Sequence, residues 1–340
     1  MLRFLGFGRG EDVVSVLWLQ GMCCGGETVS LLNAEQPDFV TALALSSLDL
    51  VWHPSFSRVL GTEALSLLAQ YGSGQRELGI LVVEGAVPHG ADADGDATSS
   101  PAAGIAGYVI QLAAAAKYVV AAGTCASFGG ILSSRATSVR ATGLQYLRDR
   151  LGGVLGNDFR SRGGLPVVNV SGCPAHPDWL MGTLSELSRD HLSKDDLDKY
   201  GRPKVFYAKL AHHGCPRNEY YEFKASALAY SQQGCLFENL GCKGTQCDSD
   251  CNERLWLART GSCPRGGFPC LSCTSPKFPD GFVPFFETQK IGDVPTTLPL
   301  DVPKAWYVGI SGLAKLASPK RLSRNATSYR PVDTQDEEQE

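Results

Sequence analysis

The chain has 340 residues, of which 43% are hydrophobic and 19% charged, and its formal net charge is −4. This length and composition predict one large or two ordinary globular domains with an ample core. The negative charge argues against nucleic-acid binding, which depends on surplus positive charge, and no apolar run is long enough to predict a membrane span. The first residues carry no twin arginine and no signal-peptide pattern, so an unprocessed cytoplasmic chain is expected.

Apolar runs alternate with helical segments through the first half of the chain. Residues 13–19, VVSVLWL, are a β-branched and apolar run typical of a buried parallel strand. Further strands are predicted within 48–54, 79–87, 117–130 and 164–179, and helices near Thr28, at 63–71, at 105–116 and near Asp178. Residues 86–104 are predicted to be a surface loop. The alternation predicts right-handed βαβ units and a doubly wound parallel sheet, an α/β fold.

Chemically active side chains follow the ends of these predicted strands. Cys24, Glu84, Cys125 and Cys173 all lie at carboxyl ends, within a few residues of the apolar runs. Ligands of such sheets bind outside the carboxyl ends of the strands. We therefore expect these four residues, far apart in sequence, to converge at one edge of the sheet.

The character of the chain changes after residue 195. A polar segment, 193–204, is predicted to be a linker, and residues 212–273 then hold eight of the twelve cysteines and the candidate ligand His212. Soft thiolates select zinc, copper(I) or iron–sulfur clusters. Disulfide-dense chains are usually small and secreted, and a zinc ribbon needs two CxxC pairs, whereas only Cys270 and Cys273 form one. From Ser318 onward the tail is basic and then acidic, which predicts disorder or ordering only against a partner.

Spacing sorts the possible ligands into three sets. One set lies at the sheet edge, and the other two lie in the cysteine-rich region. Their members are Cys24, Cys125 and Cys173; His212, Cys215, Cys235 and Cys242; and Cys251, Cys263, Cys270 and Cys273.

Seven motifs occur in the order LWLQGxxC, VVEGAV, GTCASFGG, VSGCPAHPDW, HxxCPR, CLFENLGCKG and PCLSC. On these motifs the chain closely resembles, from about residue 13 to 315, the small electron-transferring subunit of [NiFe] hydrogenases. It is most similar to the cytosolic, oxygen-insensitive, high-affinity members of the actinobacterial type. The resemblance implies a flavodoxin-like domain at 1–192 that binds a proximal cluster and a loop-rich domain at 205–317 that binds medial and distal clusters. Residues 318–340 are expected to be a disordered tail.

The resemblance also assigns the ligands. Cys24, Cys125 and Cys173 match the proximal set, and the set with His212 matches the distal one. Cys251, Cys270 and Cys273 match the medial set, and Cys263 stands where the usual family member has proline. A fourth medial thiolate implies a [4Fe-4S] cluster there, so three [4Fe-4S] clusters are expected.

The sequence leaves three possibilities for the fourth proximal ligand. The family motif normally places a cysteine at position 27, where this chain has Glu27. In the actinobacterial-type relatives an aspartate takes this place and ligates the cluster, and Glu27 could do the same. Alternatively Cys23 is the ligand, because the tandem Cys23–Cys24 pair is similar to that of the related cluster subunit of respiratory complex I, or the site has no fourth protein ligand. With Glu27 as ligand, Cys23 and Cys247 remain as non-ligating thiols.

Five further residues stand near these candidate ligands or in the same motifs, and two of them, Glu84 and Lys243, have two interpretations each. Glu84 either serves the proximal cluster or makes a helix-terminus or turn contact, and His176 with Asp178 is predicted to cap the following helix. His213 is predicted to be a spacer. Lys243, beside Cys242, either tunes the local potential or meets a redox partner.

The resemblance implies an electron-relay subunit of an enzyme that oxidises H2 at a nickel–iron centre held by a separate large subunit. An obligate heterodimer, a pairing of two heterodimers, and a quinone-linked or cytochrome electron acceptor are expected. The chain would be cytoplasmic or peripheral at the inner face of the membrane. Two alternatives are a hydrogen-sensing regulatory subunit and a complex-I-like cluster subunit without hydrogen chemistry.

Overall fold

The computed structural model describes residues 13–88, 101–134, 140–279, 285–292, 294–298 and 303–330. Most of the predicted loop at 86–104 therefore lies outside the described residues. The chain divides into two compact units. The first comprises Met1–Phe206 with Pro276–Pro279, and the second comprises Tyr207–Ser275 with Asp280–Glu340.

A five-stranded sheet forms the centre of the first unit. Its strands are β1 (Val14–Gln20), β2 (Leu48–Trp52), β3 (Leu78–Glu84), β5 (Ala116–Ala122) and β9 (Val168–Val170). They are arranged in the order β2-β1-β3-β5-β9, and every pairing is parallel. Counted along the chain, this is the 2-1-3-4-5 order of flavodoxin-like folds. The predicted α/β fold is confirmed.

The central strands are apolar on both faces because helices cover both faces of a parallel sheet. In β1, Val16, Leu17, Trp18 and Leu19 are all at most 2% exposed. The same core includes the fully buried Leu112 of a flanking helix. This two-sided burial explains why the strands could be located from continuous apolar runs.

The carboxyl ends of four strands stand in register. Gln20 pairs with Glu84, Glu84 pairs with Ala122, and Ala122 pairs with Val170. Three of these strands, β1, β5 and β9, are therefore followed at the same level by a segment that carries a candidate ligand, and β3 ends on Glu84. The predicted convergence at one sheet edge follows from this register.

Helices connect and flank these strands. In the first unit they are α1 (Gly26–Leu31), α2 (Phe39–Leu45), α3 (Gly61–Gly72), α4 (Pro101–Ala115), α5 (Gly123–Phe128) and α6 (Pro177–Ser188), and α7 (Lys204–Tyr207) spans the boundary between the units. Two small antiparallel pairs complete the unit: β4 (Val87–Pro88) with β6 (Ala141–Thr142), and β7 (Tyr146–Leu147) with β8 (Arg150–Leu151).

The polar segment at 193–204 differs from the linker that its composition predicts. Arg202 is 2% exposed, and its Nε donates to Asp198 Oδ2 at 2.8 Å. Leu197 is buried as well. The local ion pair neutralises the charge of Arg202. The segment is therefore a folded part of the first unit and not an exposed linker.

In the second unit, the described residues between 208 and 289 contain little regular structure. Its elements are α8 (Asn218–Glu222), α9 (Cys251–Arg254), β10 (Lys290–Ile291), β11 (Val294–Pro295), α10 (Lys304–Leu316) and α11 (Lys320–Ala326). The expected disorder beyond Ser318 is wrong for α11, because Leu322 and Ala326 are buried against Ala225. Residues 331–340 lie outside the described residues. Across the described ranges, no helix combines the length and the apolar character needed to span a membrane.

Candidate functional site

The three cysteines predicted for the sheet edge follow three strands of the central sheet. Cys24 comes after β1, Cys125 lies in α5 directly after β5, and Cys173 follows β9. Glycines leave room for two of the thiols. A Cβ on Gly130 would lie 2.6 Å from Cys125 Sγ, and one on Gly26 would lie 3.1 Å from Cys24 Sγ.

Glu27 points toward the turns that carry these cysteines. It lies in the first turn of α1 and is only 6% exposed. A Cβ on Gly123 would lie 2.0 Å from Glu27 Oε1, so the carboxyl group rests directly on the start of α5. The carboxylate also accepts from the backbone N–H of Ala175, two residues after Cys173.

Burial raises the pKa of Glu27 to about 8, and the negative charge of Glu84 acts in the same direction. Burial likewise raises the pKa of Cys125 to about 11 and that of Cys173 to about 12. The charges of Cys24 and Glu27 are among those that act on both thiols. The carboxyl group of Glu27 and the thiols of Cys125 and Cys173 thus share one poorly solvated space. A cation bound there would displace their protons.

Cys23 is half-buried on another side of the turn. It packs against the end of β3, because a Cβ added to Gly85 would lie 2.6 Å from the Cβ of Cys23. The neighbouring Cys24, by contrast, is exposed beside Gly26. The thiol of Cys23 nevertheless lies near the sheet-edge set, since the charges of Cys24 and Glu27 act on it and its own charge acts on Cys125.

Glu84 is fully buried and makes a helix-terminus contact. Its Oε1 accepts from the backbone N–H of Glu27 at 3.2 Å and of Thr28 at 3.4 Å, at the start of α1. Trp18 Nε1, Gln20 Nε2 and the Thr28 hydroxyl donate to Oε2. The second predicted interpretation of Glu84 is confirmed, and the contact fixes the helix that presents Glu27.

His53 extends this network away from the sheet edge. Its Nδ1 accepts from the backbone N–H of Ser55 at 3.0 Å, which places the ring proton on Nε2, 3.3 Å from the Thr28 hydroxyl. The ring stacks on Phe56 at 4.1 Å and is 0% exposed. Burial lowers the pKa of His53 to about 4, although the charge of Glu84 opposes this.

We expect His53 to make the protein acid-sensitive. Between its folded pKa of about 4 and its ordinary value near 6.5, only the unfolded chain binds the proton. Stability is therefore present above about pH 6.5 and falls toward pH 4, by on the order of 3 kcal/mol. His53→Gln should flatten the decline of the apparent melting temperature of the purified complex between pH 7 and 5. Equal declines in both proteins would contradict this origin.

His176 caps α6, as its position before a helix predicts. Its Nδ1 accepts from the backbone N–H of Asp178 at 3.1 Å. The ring is 3% exposed and packs against Trp179, with centroids 5.7 Å apart. The cap fixes the helix that begins four residues after Cys173.

The second unit contains a partly open cavity, in which the empty space, open solvent included, is about 390 Å³. Its lining includes all four residues predicted to form the distal set: His212, Cys215, Cys235 and Cys242. Cys270 and Arg217 line it too. Burial raises the pKa of Cys242 to about 11 and raises that of Cys235 further.

His212 is held by its surroundings. Its backbone N–H donates to Gly244 O at 3.1 Å. The Tyr221 ring meets the imidazole edge-on, with centroids 4.2 Å apart. His213 is exposed, in keeping with a spacer. Tyr221 has no sequence signal that would have connected it with His212.

Sequence analysis also missed Arg217, which is 8% exposed inside this cavity. Its Nε donates to Pro264 O at 2.8 Å, and its Nη1 donates to Gly234 O at 2.6 Å and to Gln232 O. Arg217 is the last residue of the HxxCPR motif, directly after its proline. A buried arginine in a loop cannot be distinguished from an exposed one by sequence.

Three of the four predicted medial cysteines, Cys251, Cys263 and Cys270, lie close to Cys247. The charge of Cys247 acts on Cys251, Cys263 and Cys270, and its side chain hydrogen-bonds to that of Cys270. Cys247 Sγ also lies 3.2 Å from Thr274 Oγ1. Cys263 is exposed, and Cys273 is half-buried three residues after Cys270. Cys247, which was expected to belong to none of the ligand sets, therefore lies beside the medial set.

Lys243 is buried, at 5% exposure, and its Nζ lies 5.6 Å from the centroid of the Phe285 ring. Its backbone N–H donates to Cys270 O at 2.7 Å. Burial within this chain favours the first interpretation of Lys243, a local electrostatic role, over contact with a redox partner.

The donor sets fit clusters of several metal atoms. In the part of the chain that the structure describes, no three His, Cys, Asp or Glu side chains lie close enough to hold one metal ion. The distal donors instead surround a cavity, and glycines leave space beside the proximal thiols. All twelve cysteines are free thiols. Thiolate sets of this kind are the usual ligands of iron–sulfur clusters.

Two protein families match the chain. The family of the C-terminal region of NiFe/NiFeSe hydrogenase small subunits matches residues 207–286. The family described as "NADH ubiquinone oxidoreductase, 20 Kd subunit" matches residues 24–187. The sheet-edge cysteines fall in the second match, and the cysteine-rich region falls in the first.

Several relatives span both regions. F420 non-reducing hydrogenase I small subunit of Methanosarcina mazei is 32% identical over 298 residues, which cover 80% of this chain and 75% of that protein. The periplasmic [NiFeSe] hydrogenase small subunit of Desulfomicrobium baculatum is 31% identical, with 83% and 89% covered. Among solved structures, an actinobacterial-type NiFe-hydrogenase from Ralstonia eutropha matches with a TM-score of 0.71 and 30% identity, with 91% of this chain and 92% of that chain covered.

Proposed function

Since the chain belongs to the family of [NiFe] hydrogenase small subunits, we propose that it relays electrons outward from H2 oxidation at a nickel–iron centre in a large subunit. As a family member it is the electron-transfer subunit of an oxidoreductase, and the catalytic centre lies in the partner. We further propose that electrons flow outward from H2, that the chain holds three clusters, and that the residues named below bind them. The observation that carries the ligand assignment is that the predicted distal donors all line one cavity.

Twelve residues of this chain would hold three [4Fe-4S] clusters, which supply one-electron redox chemistry when bound. The proximal ligands are Cys24, Glu27, Cys125 and Cys173. The distal ligands are His212, Cys215, Cys235 and Cys242, and the medial ligands are Cys251, Cys263, Cys270 and Cys273.

The geometry of Glu27 supports it as the fourth proximal ligand. Its carboxyl group rests on Gly123 and accepts from Ala175, so it lies between the turns that carry Cys125 and Cys173. The Cβ of Cys23 lies beside Gly85 at the end of β3, while its thiol is also acted on by the charge of Glu27. A harder oxygen ligand changes the potential and lability of the iron that it binds. Buried Glu84 holds the helix end and thereby the direction of Glu27.

The partners and location follow from this role. A large partner that covers the sheet edge would shield the exposed Cys24 and Cys173 from solvent. Pairing of two heterodimers and a quinone-linked or cytochrome acceptor belong to the same proposal. The free thiols support a reducing, cytoplasmic compartment, with attachment at the inner membrane face through the acceptor.

Iron analysis of the purified heterodimer tests the proposal. We expect about twelve irons per heterodimer beyond the iron of the catalytic centre, together with rapid H2-dependent dye reduction. A complex-I-like subunit would hold about four and show no hydrogen chemistry. About twelve irons with very slow turnover would indicate the hydrogen-sensing alternative.

A further inference from the structure

The guanidinium of Arg217 is a buried charge at the cavity of the distal set. It is 8% exposed and lines the cavity with His212, Cys215, Cys235 and Cys242. Burial lowers the pKa of Arg217 and the thiols Cys215, Cys235 and Cys242 raise it. An arginine starts so far above neutrality that it stays charged.

Three backbone carbonyls hold this group, and none of them neutralises it. Nε and Nη1 donate to the carbonyl oxygens of Pro264, Gln232 and Gly234. Among the described residues, the carboxylates that form ion pairs do so with other basic groups and not with Arg217. A buried charge that no carboxylate neutralises is unfavourable. The thiols that line the cavity are among the groups whose charges act on Arg217, so its counter-charge would be supplied by what these thiols hold.

We infer that Arg217 is the fixed counter-charge of the distal cluster and holds its reduction potential at a more positive value than a neutral side chain would. The inference rests on the proposed function, since it requires a cluster in this cavity. Reduction adds one negative charge to the cluster, and a positive charge fixed nearby stabilises the reduced form. Arg217 is a positioning residue and binds no iron itself.

The carbonyl contacts make the charge immobile, which distinguishes it from a flexible surface lysine. The acceptors belong to the segment before Cys235 and to the segment after Cys263. Arg217 therefore stands at one place relative to the cavity in both oxidation states. Because an arginine does not titrate in the working range, its effect should be constant from about pH 6 to 9.

The test uses the purified heterodimer and a redox titration followed by EPR. The distal signal is identified as the one that changes in a His212→Cys variant. Arg217→Gln should shift the distal potential to a more negative value, equally at pH 6 and pH 9, and leave the other cluster potentials unchanged. Arg217→Lys, which keeps the charge, should lie closer to wild type. Arg321→Gln removes an exposed arginine, paired with Glu219, from the same unit and should produce no shift.

Each other outcome has a definite meaning. An unchanged distal potential in Arg217→Gln with full iron content would overturn the inference, and so would an equal shift in Arg321→Gln. Loss of the distal cluster in both Arg217 variants would make the residue structural and would overturn it too. If Arg217→Gln alone loses the cluster, a wild-type potential in Arg217→Lys supports the inference and a shifted one overturns it. A wild-type protein without a distal signal would refute the proposed function instead.

Discussion

Replacing Glu27 by alanine is expected to remove about one iron per chain and to convert the proximal centre to a three-iron form. The reason is that in the proposed function Glu27 supplies the fourth ligand, with its carboxyl group against Gly123. H2-driven dye reduction should fall about tenfold or more, because in the proposed relay electrons leave the catalytic centre through this cluster. Iron analysis, EPR and turnover of the purified heterodimer measure the three effects.

Cys23→Ala is the matched control for this experiment, because Cys23 belongs to the same turn but packs beside Gly85. It should keep the iron content and the EPR signal of wild type. Glu27→Cys should restore a four-iron cluster with a changed potential, since thiolate is a softer ligand. Iron loss in Cys23→Ala but not in Glu27→Ala would transfer the ligand role to Cys23. No loss in either variant would leave the proximal cluster without a fourth protein ligand.

A single methyl group at Gly123 should be nearly as damaging. Its Cβ would lie 2.0 Å from Glu27 Oε1 and 2.3 Å from Glu27 Cδ, so the carboxyl group would have to move away from the site. Gly123 also has φ +84, which L residues rarely adopt. We expect Gly123→Ala to lower the iron content by about one per chain, as Glu27→Ala does, and to lower H2-driven turnover in proportion.

Gly156→Ala separates the effect of the clash with Glu27 from the effect of backbone strain. Gly156 has φ +81 but no heavy atom within 4 Å of a built Cβ, so this variant carries only the backbone strain, about 1–2 kcal/mol. It should lose some thermal stability and no iron. Combining Gly123→Ala with Glu27→Ala should remove no more iron than Glu27→Ala alone, because the clash is then absent. Additive iron losses would show that Gly123 acts independently of Glu27.

The sheet could be predicted because its strands are largely apolar and four of the five, all except β2, are followed by a glycine-containing segment. Strand ends that stand in register, as Gln20, Glu84 and Ala122 do, explain why the sheet-edge residues could be placed together from sequence. The distal set was predictable for a different reason. Its spacing and motifs define a metal site even where the backbone has no regular period.

What could not be predicted depends on contacts between side chains. The carboxyl group of Glu27 over Gly123 joins segments that no local pattern relates. The burial of Arg202 beside Asp198 turns a polar segment into part of a folded unit, because the ion pair offsets a charge that composition alone would place in solvent. Helix α11 was missed because its few buried apolar side chains, Leu322 and Ala326, are too sparse to show a period.

Cys270 has a consequence for how the protein is assembled. It belongs to the medial set, yet it also lines the distal cavity, and its carbonyl oxygen accepts from the N–H of Lys243, next to Cys242. The loop that supplies a distal ligand is thus tied to the loop that supplies a medial one. Because this contact restrains both loops, filling either set would help to order the other, so loss of one cluster should weaken the binding of its neighbour.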